Sequence, residues 1–192
     1  VSGLMRDQVI GLFGGSFDPA HAGHVALTTH ALRRFGLDQV WWLVTPSNPL
    51  KSHGPAPLAE RMARARAVMQ HPRVRVSDIE VQLGTTYTAE TIAALQDRFV
   101  HTRFVWLMGA DNLAQFDQWK DWRQIMETTP IGIIARPDAR LSPLSSRTAR
   151  IYRGARVPAK QSRSLGHLSG PAWCYLNMPL MPISSTALRS GA

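Results

Sequence analysis

Apolar positions along the chain alternate between two rhythms. Residues 8–15 (QVIGLFGG) form a short continuous apolar run ending in glycines, which predicts a buried parallel strand entering a tight turn. Residues 22–35 switch to helical spacing, with Val25, Leu27, Ala31, Leu32 and Phe35 available for one face and Gly36 as a stop. The alternation then repeats. Residues 40–45 (VWWLVT) predict a second buried strand closed by Pro46, and 58–70 a basic helix with Met62, Ala65 and Met69 inward. A strand at 74–79, a helix at 88–99, a strand at 103–108 (RFVWLM), a helix at 119–126, a strand at 131–135 (IGIIA) and a sixth strand at 172–178 follow.

This order predicts an α/β fold, a Rossmann-like doubly wound parallel sheet with helices on both faces. Ligands in such sheets bind beyond the carboxyl ends of the strands, where strand order reverses. Candidate chemistry therefore belongs to residues 13–24, 45–53, 84–88, 109–119, 136–140 and 179–189. No internal repeat or second domain is visible, so residues 1–192 read as one domain.

Composition narrows the picture. Six Trp, six Phe and a charged fraction of 18% exclude wholesale disorder. No apolar run approaches the roughly 20 residues that span a bilayer, and the N-terminal residues have no sustained apolar stretch of the secretory type. The one cysteine, Cys174, has no intrachain partner and fits a reducing compartment. The expectation is a cytoplasmic protein without membrane attachment.

The net charge is +9, which favours polyanionic partners, either nucleic acid or phosphorylated small molecules. Most of it is local. From residue 136 to 163 stand Arg136, Arg140, Arg147, Arg150, Arg153, Arg156, Lys160 and Arg163 against one acid, Asp138. With three prolines and no apolar period, residues 136–170 read mainly as a solvated basic loop insertion; a phosphate or RNA contact surface is the other reading.

The densest chemistry follows the first strand: Gly14-Gly15-Ser16-Phe17-Asp18-Pro19-Ala20-His21-Ala22-Gly23-His24. Glycines admit a sharp turn and let a phosphate approach backbone N–H groups. His21 and His24, three apart, project from one side of a helix start, where free N–H groups and the macrodipole favour an anion. Two imidazoles there can donate hydrogen bonds to phosphoryl oxygens. The segment lacks the dinucleotide glycine pattern and the P-loop lysine. Zinc ligation by the pair finds no third ligand of suitable spacing.

The segment resembles the HxGH signature of the nucleotidylyltransferase superfamily, and Ile183-Ser184-Ser185-Thr186-Ala187-Leu188-Arg189 is similar to its ISSTxxR. Further elements resemble the bacterial nicotinate mononucleotide adenylyltransferases. These are Pro46-Ser47-Asn48-Pro49-Leu50-Lys51 (P-x-N-P-x-K), Thr86-Tyr87-Thr88 ([ST]-Y-T), Gly109-Ala110-Asp111 (G-x-D), the aromatic Trp119 and Arg136-Pro137 (R-P). The resemblance covers nearly the whole chain, although that family often continues one or two helices beyond ISSTxxR and this sequence stops at Ala192.

The resemblance implies transfer of AMP from ATP to nicotinate mononucleotide, giving nicotinate adenine dinucleotide and pyrophosphate. It implies ATP contacts from Gly14, Gly15, Ser16, Phe17, His21, His24, Gly109, Asp111, Arg136, Ser184, Ser185, Thr186 and Arg189. His21, His24 and Arg189 would be catalytic. Lys51, Thr85, Thr86, Tyr87 and Trp119 would hold the mononucleotide, Trp119 by stacking on the pyridine ring. Mg²⁺ would be held mainly by the phosphates rather than by a protein cage. No membrane or nucleic-acid partner is expected, and a homo-oligomer is compatible. The sister enzyme using nicotinamide mononucleotide and a non-enzymatic RNA-binding protein using the basic loop are the alternatives.

Overall fold

The computed structural model describes residues 7–46, 54–137 and 142–179. Seven strands form one sheet in the order β3-β2-β1-β4-β5-β7-β6, and every pair is parallel. They are β1 (Gln8–Gly15), β2 (Gln39–Val44), β3 (Val74–Ser77), β4 (Thr102–Gly109), β5 (Ile131–Ala135), β6 (Arg156–Val157) and β7 (Trp173–Asn177). The chain builds outward from β1 to β3 and then returns to place β4 on the other side of β1. Strand order therefore reverses between β1 and β4, where the fold opens a crevice at the strands' carboxyl ends.

The continuous apolar runs follow from burial on two faces. Val9 and Phe13 point into one core with Val40, Trp42, Val44, Val105 and Leu107. Ile10 and Leu12 point into the other with Leu43, Phe104, Trp106 and Met108. Helices α1 (Ala22–Arg34) and α2 (Leu58–Val68) cover the first face through Leu27, Ala31, Leu32, Met62 and Ala65. Helices α3 (Ile79–Leu83), α4 (Thr88–Arg98), α5 (Ala110–Gln115) and α6 (Trp122–Thr128) cover the second through Ile79, Ile92, Leu95, Leu113 and Ile125.

Three expectations need correction. The strand expected to run to residue 79 stops at Ser77, and its last apolar position, Ile79, starts α3. The helix expected from Trp119 starts at Trp122, because Asp121 takes a left-handed φ of 54° that interrupts the backbone. Trp119 instead closes a 3-10 turn, Phe116–Gln118. Finally, the segment expected as a loop is structured: α7 (Arg147–Ile151), β6 and a 3-10 helix, Ala159–His167, lie within it, and β6 adds the seventh strand.

Candidate active site

The first turn of α1 explains both histidines. His21 is the N-cap in extended conformation, and its Nδ1 accepts a hydrogen bond from the Gly23 N–H at 3.0 Å. His24, at the third helical position, returns the contact: its Nδ1 accepts from the His21 N–H at 3.1 Å. The pair is thus a capping box made of imidazoles, satisfying helix-start donors that would otherwise be orphaned. The glycine between them is required by packing. A Cβ on Gly23 would lie 2.8 Å from His21 Cε1 and 2.9 Å from Nδ1.

With both Nδ1 atoms accepting, the ring proton of each neutral imidazole belongs on Nε2, free to donate to a ligand. Burial, helped by His21 and Arg136, pushes the His24 pKa down to about 4. His24 is therefore a neutral donor at physiological pH. Its surroundings account for the desolvation: the Phe17 ring lies 4.9 Å away, and Phe13 and Trp42 each 6.0 Å. The Trp42 indole N–H donates to Thr28 Oγ1 at 2.8 Å, and that hydroxyl donates to the His24 carbonyl at 2.7 Å.

The preceding loop is held under strain. Phe17 has φ 47°, a left-handed conformation that costs a non-glycine residue about 1–2 kcal/mol. Its buried ring stacks on Trp42 at 4.6 Å and 15°, and burial of an aromatic side chain of this size offsets that cost. The loop's anchor is Arg61 on α2, only 1% exposed. Its guanidinium donates to the carbonyls of Ser16 and Thr45 at 2.7 Å, Ala56 at 2.7 Å and Pro46 at 3.0 Å. One buried side chain thus ties together the segments following β1 and β2. Nothing in the sequence distinguishes it from the other arginines of that basic helix.

Two cavities open over these elements. The first, about 540 Å³, is lined by the 13–19 loop, His21, His24, Gly109, Asp111, Asn112, Ile134 and Arg136, among others. The second, about 390 Å³, is lined by Gly14, Gly15, Ser16, Thr45, Glu80, Thr86, Thr88, Trp106, Asn112 and Trp119. They share Gly14, Gly15, Ser16 and Asn112, so they are neighbours across the end of β1.

The nominated residues divide accordingly. Gly14, Gly15, Ser16, Phe17, His21, His24, Gly109, Asp111 and Arg136 converge on the first cavity. Thr86 and Trp119 line the second. Thr85 does not; its hydroxyl pairs with that of Thr91 at 2.8 Å. Tyr87 caps α4 and carries Lys120 Nζ 4.3 Å over its ring. Lys51, Ser184, Ser185, Thr186 and Arg189 lie outside the described residues.

The cytidylyltransferase-like family model matches residues 12–191. A relative from Ruegeria pomeroyi, "Probable nicotinate-nucleotide adenylyltransferase", is 61% identical over 183 residues, 95% of this chain and 86% of its own. One from Roseobacter denitrificans with the same name is 57% identical over 95% of this chain and 92% of its own. The chain belongs to the nicotinate-nucleotide adenylyltransferase family. Among solved structures, the Plasmodium falciparum nicotinic acid mononucleotide adenylyltransferase complexed with NaAD superposes with a TM-score of 0.65. It covers 95% of this chain and 83% of that one at 15% identity, which establishes the shared fold.

Within this adenylyltransferase fold, the second cavity holds groups that sequence reasoning missed. Trp106 Nε1 is buried without a hydrogen-bond partner, and its ring meets that of Trp119 edge-on at 6.2 Å. Gly14 makes room for it, since a Cβ there would lie 2.7 Å from the indole. Glu80 is 5% exposed, and burial pushes its pKa up to about 7. Both residues read as ordinary core or surface positions in the sequence; neither carries a motif. No helix among the described residues is long and apolar enough to cross a membrane.

Proposed function

We propose that the protein is a nicotinate-nucleotide adenylyltransferase, joining ATP and nicotinate mononucleotide into nicotinate adenine dinucleotide with release of pyrophosphate. The observation that carries this reading is the adjacency of the two cavities across the end of β1. One is lined by glycines, paired imidazoles and Arg136, suited to a triphosphate; the other by Thr86 and two indoles, suited to a pyridine ring. A reaction joining two nucleotides needs their phosphates to meet between two such subsites.

The mononucleotide's 5′-phosphate oxygen attacks the α-phosphorus of ATP, a P–O bond forms, and the bond to the β-phosphate oxygen breaks. No protein nucleophile is needed, so catalysis comes from positioning and charge stabilisation. His24 and His21 donate from Nε2 to the phosphoryl oxygens, and the Arg136 guanidinium adds charge beside them. Asp111, on the first turn of α5, accepts from ribose hydroxyls. Trp119 stacks on the electron-poor pyridine ring, while Thr86 binds its carboxylate. Ser184, Ser185, Thr186 and Arg189 on the β- and γ-phosphates, and Lys51 on the mononucleotide phosphate, are assigned from their motifs.

A divalent cation such as Mg²⁺ would enter with ATP, held by triphosphate oxygens and water, and would neutralise charge on the leaving pyrophosphate.

The test is pyrophosphate release with ATP and either nicotinate or nicotinamide mononucleotide. Turnover should strongly favour the nicotinate substrate, because a site built for a carboxylate rejects its amide counterpart. Equal turnover would remove the substrate assignment. In the same assay His24→Ala should lose about 10²–10³ in kcat, with an unchanged circular dichroism spectrum. A folded His24→Ala protein turning over at the wild-type rate would overturn its role.

A further inference from the structure

The basic segment that dominates the sequence's charge separates in the fold. Arg136 faces the first cavity, Arg147 lies 3.9 Å from Asp117, and the Arg156 guanidinium sits over the Trp173 and Tyr175 rings. Lys160 and Arg163, both on the 3-10 helix Ala159–His167, go elsewhere. They meet Arg33 and Arg34 of the last turn of α1 around a third cavity of about 450 Å³.

No carboxylate is among the described residues lining this cavity. Buried polar side chains also contribute to its wall. His30 is 9% exposed and its Nε2 has no hydrogen-bond partner, and Ser162 is 4% exposed. The Arg34 guanidinium donates to the Ala159 carbonyl at 3.4 Å, so the two walls are already joined.

Basic residues at the end of a helix need no ligand to explain them, because they complement its dipole. That accounts for Arg33 and Arg34. It does not account for two further cations brought against them from a different element, nor for a buried imidazole nitrogen left without a partner beside them. Four like charges around one concavity repel each other, and a multiply charged anion would convert that repulsion into charge-assisted hydrogen bonds.

We propose that this cavity is a second anion site, which binds a small phosphorylated molecule such as a polyphosphate or phosphate ester. Its volume falls in the range of small-molecule pockets, whereas a nucleic acid would call for an extended groove. It is separate from the two cavities of the proposed reaction and does not depend on that assignment. His30 stands about 12 Å along α1 from the start of the helix, at 1.5 Å per residue.

The site can be tested in the full chain labelled with ¹⁵N-histidine, whose ring signals report His30 apart from His21 and His24. The probe is sodium pyrophosphate, titrated without divalent metal at constant ionic strength. His30 signals should shift saturably, with a midpoint unchanged in His24→Ala. In the Arg33→Ser/Lys160→Ser variant, which alters two solvent-exposed side chains, the midpoint should weaken about tenfold or more. That variant should keep wild-type turnover.

The proposal fails if His30 responds only to ionic strength, if its shift disappears in His24→Ala, or if the double variant titrates like wild type. Displacement of pyrophosphate from His30 by a short RNA duplex, with an affinity falling steeply in salt, would overturn it in favour of a nucleic-acid surface.

Discussion

The two cavities at the end of β1 are neighbours but are finished to different degrees. In the first, the polar groups are already engaged: both histidine Nδ1 atoms accept backbone N–H bonds, and the 13–19 loop is fixed by Phe17 and Arg61. In the second, polar groups wait. Trp106 Nε1 has no partner, and Glu80 sits in surroundings that disfavour its charge. The difference suits two ligands of different kinds. A triphosphate brings many equivalent oxygens and requires a rigid array of donors, whereas a substituted pyridine brings a flat face and one distinguishing group. Preorganisation serves the first, and a flat aromatic wall serves the second.

The largest expected effect comes from removing what the cavities share. Arg61→Met would keep the apolar stem of the side chain but leave the carbonyls of Ser16, Thr45, Pro46 and Ala56 without their donor. Loss of such a buried charged network costs about 3–5 kcal/mol, measurable as a lower urea midpoint with unchanged slope. Because Ser16 lines both cavities and Thr45 the second, KM for both substrates should rise in protein that remains folded. Wild-type stability would mean that the two loops hold their places without Arg61.

A narrower change should separate the cavities. Trp119 touches Trp106 and Phe116 edge-on, which leaves its ring on the wall of the second cavity alone. Trp119→Ala removes the stacking surface, worth about 1–3 kcal/mol per base-like ring. KM for the mononucleotide should therefore rise by about tenfold or more, with KM for ATP unchanged. Equal increases in both constants would show that the cavities act as one unit.

How much of this was visible in the sequence depends on the scale of each feature. The central strands were legible because their runs are apolar on both faces, so no error of period was possible. The HxGH loop was legible because its chemistry is compressed into a few consecutive residues. The third region, 142–167, was not. Its buried residues include Thr148, Ala149, Ser162 and Gly166, small or polar side chains that leave no apolar rhythm among the bases. The short helices α3 and α5 begin within two residues of a strand's end, too close for periodicity to register. Arg61 and Glu80 were invisible for another reason: what distinguishes them is burial among distant segments, and a sequence does not encode that in any local pattern.

The change confined most closely to one cavity tests whether the second is unfinished. The Glu80 pKa is raised from 4.5 to about 7, so the native state holds a proton that the unfolded chain releases earlier. The stability this contributes is complete below about pH 4.5 and is lost as pH rises through 7. Thermal unfolding should therefore show wild type losing stability from pH 5 to pH 8, while Glu80→Gln, which cannot ionise, shows a flatter profile. The same variant should leave KM for ATP unaltered, since Glu80 lines only the cavity containing Trp106 and Trp119. Parallel profiles for wild type and Glu80→Gln would mean that Glu80 is charged and compensated in place. The contrast between a satisfied and an unsatisfied cavity would then rest on Trp106 Nε1 alone.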